Sequence, residues 1–172
     1  MKQIKRIEET LIKDHELYVI YENLNDIIFQ LTKKLIDKCS PETITYDIRD
    51  YDKIKGIILN QLHISMFVEH SANDFIINVM TRIIKFHYLP NGNKRAAVII
   101  GDLLAKQLCY QILWCKINVD DFIVAATLPD IDFIVINIKK AITFIPLSSE
   151  HLIHAHKEDT YLNKIIKKLE LK

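Results

Sequence analysis

The run HYLPNGNKR, His87 to Arg95, gathers an imidazole, two amides, a glycine and two adjacent cations. An imidazole titrates near neutrality and can take a proton from an attacking hydroxyl. Lys94 and Arg95 are phosphate-binding types, the guanidinium gripping two oxygens at once. Asn91 offers a neutral oxygen suited to a hydrated Mg²⁺, and the Asn93 amide can hold the loop or a phosphate. Gly92 is one of only three glycines in the chain. An Asn-Gly pair tolerates positive φ, and the missing side chain lets an anion approach the backbone.

The flanking segments explain how these groups come together. Phe75, Ile76, Val79, Ile83 and Phe86 recur at helical spacing after Ser71, a good N-cap, and Pro90-Asn91-Gly92 ends that helix. Ala96, Ala97, Ile100, Leu103, Leu104 and Leu108 mark a second helix. His87 therefore closes one helix while Lys94 and Arg95 open the next. The first turn of a helix presents unpaired N–H groups and a partial positive charge, so two cations there are unfavourable. An anion bound at the same terminus removes the conflict. The pattern lacks GxxxxGK(S/T) and is not the common P-loop. An Asn-Gly turn, a helix-ending histidine and solvated cations each also occur for purely structural reasons; their combination favours an anion site.

HYLPNGNKR resembles the signature of the Fic/Doc (Fido) family, HxFx(D/E)GN(G/K)R, matching it at His87, Gly92, Asn93, Lys94 and Arg95. The likeness extends through the preceding helix and through GDLLAKQLCYQI. It implies an all-α fold, a compact Fic/Doc-like helical bundle spanning 1–172 as one domain, with room for a short β-hairpin flap. It also implies a transferase moving AMP or, in the Doc-type branch, a phosphate from ATP to a Ser, Thr or Tyr hydroxyl of a target protein. His87 would be the general base. Gly92, Asn93, Lys94 and Arg95 would hold phosphates, and Asn91 would stand at the Mg²⁺ position. Three departures are evident: Leu89 replaces an aromatic, Asn91 replaces an acidic metal ligand, and Val98 stands where many AMP-transferring members carry a second Arg. Lys94 without that Arg is closer to the Doc-type branch. No (S/T)xxxE(G/N) inhibitory motif is present, so the resemblance implies either no inhibition in cis or a separate antitoxin or inhibitor protein. The alternative is a degenerate Fido domain that binds nucleotide or protein without transfer.

Elsewhere, Ile4 to Leu35 predicts two helices or one kinked helix stopped before Pro41. The segment 43–67 mixes alternation with Gly56 and reads as irregular, a candidate flap from Asp52 to Phe67. Asn118 and Pro129-Asp130 start further helices, DFIVINIKKAITFI reads as a buried helix, and Ser148 or Ser149 and then Asp159 would cap two more. His151, His154 and His156 read as a solvated cluster in preference to a metal site, and Cys39, Cys109 and Cys115 as buried free thiols.

Lys plus Arg number 23 against 22 acidic residues, a formal charge of +1. Such a balance gives no long-range field for nucleic acid. The charged amino-terminal run and the absence of any long apolar stretch point to a cytoplasmic protein with no membrane partner. Seven glycines and prolines in total, with 49% hydrophobic residues, suit helices around a sizeable core.

Overall fold

The computed structural model describes residues 14–40, 47–68, 70–147 and 152–170. The protein is mostly helical, as its periodicity predicts, with one small antiparallel sheet. The elements run α1 (Asp14–Glu22), α2 (Leu24–Lys38), α3 (Ile48–Phe67), α4 (Ala72–Phe86), α5 (Asn93–Gln107), β1 (Tyr110–Ile112), a 3₁₀ turn (Trp114–Lys116), α6 (Val119–Ala126), α7 (Ile131–Ala141), β2 (Phe144–Pro146) and α8 (Leu152–Glu170). Among the described residues, no helix is long and apolar enough to cross a membrane.

Helices α4 and α5 form the centre, with α2, α3, α7 and α8 around them. Phe75, Ile76, Val79, Met80 and Ile83 of α4 are fully buried, as are Ala96, Ala97, Ile100 and Leu104 of α5. The two axes approach closely because Gly101 has no side chain. A Cβ there would lie 2.5 Å from the Met80 sulfur. The connection between these two helices is the short run around Gly92, so the rigid core fixes both ends of the turn.

Local chemistry sets the helix starts. Ser71 Oγ accepts from Asp74 N–H at 3.0 Å at the head of α4, Asn118 from Asp120 N–H at 3.0 Å at α6, and Asp130 from Asp132 N–H at 2.8 Å at α7. Trp114 is buried and donates its indole N–H to Asp102 at 2.9 Å.

Four expectations are corrected. The segment read as irregular forms the continuous helix α3 from Ile48, because Tyr51, Ile54, Ile58 and Leu62 supply a buried stripe and Gly56 sits on an open face. The helix expected through DFIVINIKKAITFI stops at Ala141, and Phe144–Pro146 is β2, paired antiparallel with β1 so that Ile112 lies opposite Phe144. The two helices expected near the carboxyl end are one, α8, with Asp159 inside it. Only Cys39 is buried; Cys109 and Cys115 are exposed, all three as free thiols. Residues 1–13, Ser148, Ser149, His151 and the side chains of His154 and His156 lie outside the described residues.

Candidate functional site

The ends of α4 and α5 place the singled-out residues around one hollow of about 160 Å³. Its walls are His87 and the run Pro90 to Arg95, closed on the far side by Leu169 of α8. Lying below the 300–1,000 Å³ of typical small-molecule sites, the hollow suits one small anionic group.

His87 ends α4 in the left-handed region, φ 47° and ψ 50°. A non-glycine residue there carries about 1–2 kcal/mol of strain. Such outliers persist where the surrounding structure holds them, and functional sites are where they concentrate. The imidazole is exposed and has no hydrogen-bond partner among the described residues.

Gly92 is the N-cap of α5 at φ 83°, the conformation that its type predicts. The first intrahelical bond of α5 runs from Ala96 N–H to the Gly92 carbonyl at 2.8 Å. N–H groups ahead of that bond have no intrahelical acceptor. The Gly92 N–H is taken by Asn91 Oδ1 at 2.7 Å. Asn93 is buried and clamps the turn: its Oδ1 accepts from Leu89 N–H at 2.9 Å and its Nδ2 donates to the Leu89 carbonyl at 2.7 Å. The Asn93 side chain thus holds the loop and leaves its own backbone N–H ahead of the first intrahelical bond of α5.

The two cations diverge. Lys94 is half-buried on the hollow and makes no ion pair among the described residues. Arg95 is only 2% exposed and turns inward beneath Gly92. Its Nη1 lies 3.4 Å from Glu170 Oε1, and the same carboxylate oxygen accepts the Ser40 N–H. Burial pushes the Cys39 thiol up, while the adjacent Arg95 charge and hydrogen bond act the other way. Part of the anionic charge expected at this helix start is therefore the chain's own Glu170, a residue that motif reading did not single out. Its one signal is an acid at the carboxyl end of a helix, where the dipole disfavours it.

The turn fits a phosphate through Lys94, the left-handed glycine and the free ends of the α5 backbone. It does not fit a protein-held Mg²⁺. Asn91 brings no charge and its oxygen is engaged by Gly92, and no group of three or more His, Cys, Asp or Glu among the described residues could hold a metal.

In comparisons with known proteins, no family model, curated protein or solved structure matches this chain.

Proposed function

We propose that the α4–α5 turn is a phosphate site of a Fic/Doc-like transferase using ATP, with His87 as general base. The observation that carries this reading is the convergence of an exposed, left-handed His87, unpartnered among the described residues, with Lys94 and the α5 amino terminus on one hollow. In the step, His87 takes the proton of a protein hydroxyl. The oxygen forms a bond to phosphorus and the bond to the leaving group breaks, releasing ADP if the γ-phosphate is transferred or pyrophosphate if AMP is. Lys94 and the α5 terminus stabilise the charge that builds on the transferred group. Because the turn lacks a carboxylate, any Mg²⁺ would belong to the nucleotide phosphates, and no residue role depends on it.

Two features favour a second reading, a binding module without transfer: the neutral Asn91 where the resemblance implies an acidic metal ligand, and Arg95 engaged by Glu170. The test is ATP labelled at the α- or γ-phosphate, incubated with the protein and a lysate of the source cell beside His87→Ala. Label retained only with the wild type supports transfer, and its position identifies the group moved. Equal retention in both, together with ATP binding, supports the module.

A further inference from the structure

We propose that the groove between α3 and the end of α4 seats an acidic segment of the acceptor protein and so delivers its hydroxyl to His87, an inference that rests on the transfer reading above. The groove measures about 440 Å³. Lys53, Gly56 and Ile57 of α3 form one wall, and Arg82, Phe86 and Tyr88 form the other. It shares no residue with the anion hollow, yet Phe86 and Tyr88 flank His87, which lines that hollow. The chain neighbours of His87 on both sides therefore line the groove, while His87 itself lines the hollow. A general base must come within about 3 Å of the hydroxyl it deprotonates. With phosphate on the hollow side, the groove whose lining flanks His87 in the chain is the concavity from which an acceptor would reach the imidazole.

Charge selects the occupant. Among the described residues, the lining carries two cations and no carboxylate. Arg82 is half-buried, and its hydrogen-bond partner among the described residues is the neutral Asn78 Oδ1 at 3.2 Å. Lys53 bonds Asp50 at 3.0 Å with its side chain still 53% exposed. A guanidinium with no counter-charge among the described residues, beside a half-exposed ammonium, is the complement of carboxylates spaced along a chain. Phosphate fits less well, because Lys53 to Ile57 and Arg82 lie inside α3 and α4, where backbone N–H groups are used within the helix. Phe86 is 53% exposed and its ring lies 5.9 Å from that of Tyr88, giving an apolar side chain of the segment an aromatic seat. Gly56 keeps the floor open: a Cβ there meets nothing within 4 Å.

That open space supplies a plug that does not disturb the fold. The full chain, without nucleotide and at low salt, is titrated into a fluorescein-labelled peptide in which glutamates and one leucine flank a serine. The control peptide carries glutamines for the glutamates. The expected result is binding of the acidic peptide about tenfold or more tighter than the control. Gly56→Leu and Arg82→Glu should each weaken it by about tenfold, with thermal unfolding near that of the wild type for Gly56→Leu. Equal affinity for the two peptides overturns the proposal. So does undiminished binding by Gly56→Leu, or loss of ATP binding in these variants with peptide binding spared. Because peptide binding is read without nucleotide, groove-dependent binding without any transfer sinks the transfer reading alone. Transfer that ignores both variants sinks the groove alone.

Discussion

Arg95 and Glu170 occupy the ends of α5 and α8 at which their charges are disfavoured, and they meet there at 3.4 Å. The positive amino end of α5 carries a cation and the negative carboxyl end of α8 carries an anion, so each misplacement is answered by the other. Glu170→Gln leaves a buried guanidinium with less compensation, and unfolding should be easier by about 1–3 kcal/mol. Unchanged stability would show that the pair does not hold α8 to the turn.

Gly92 should be the least replaceable residue of the turn. Gly92→Ala forces an L side chain into φ 83° and puts a Cβ 3.0 Å from Arg95 Nη2. The backbone term alone is about 1–2 kcal/mol, read as a lower urea midpoint, and the altered turn should weaken phosphate binding as well.

Asn91→Asp retains the oxygen that accepts the Gly92 N–H and adds negative charge just ahead of α5. Stability should rise by about 0.3–1 kcal/mol at low ionic strength. A large increase in transfer rate with Mg²⁺ would mean that the missing carboxylate limits the chemistry. A stability gain without a rate gain would assign the position to the turn alone.

Asp74 links the head of α4 to α7. Burial works against its ionised form, but the Lys139 ammonium at 2.8 Å and the Ser71 hydroxyl at 2.9 Å prevail, and its carboxyl is held below the usual carboxylate range. With the folded value depressed, the contribution is present above the unfolded value of about 3.9 and is lost as pH falls through the folded value. Both side chains are about one-third exposed, so solvent screening holds the gain to about 1 kcal/mol or less. Asp74→Asn should lower stability at neutral pH and leave it unchanged in acid below the folded value, measured by denaturation across pH.

The helix ends around the site were legible because they depend on neighbours in sequence: the Ser71 cap, the left-handed Gly92 and the starts at Asn118 and Asp130 all act within a turn or two. Helix α3 was obscured by Gly56, which reads as a break until its open surroundings show that nothing excludes a helix there. Phe144–Pro146 leaves the helical pattern because β1, distant in sequence, supplies its partner. Glu170 was invisible for the same reason. Its role depends on Arg95, which only the packing of α8 on α5 brings near.

The most direct test of the phosphate-binding turn is an ATP titration followed by backbone amide resonances of the full chain. Saturable shifts concentrated at Gly92, Asn93 and Lys94 are expected, and are lost in Lys94→Ala. Shifts confined to other surfaces, or a Lys94→Ala protein that responds like the wild type, would contradict it.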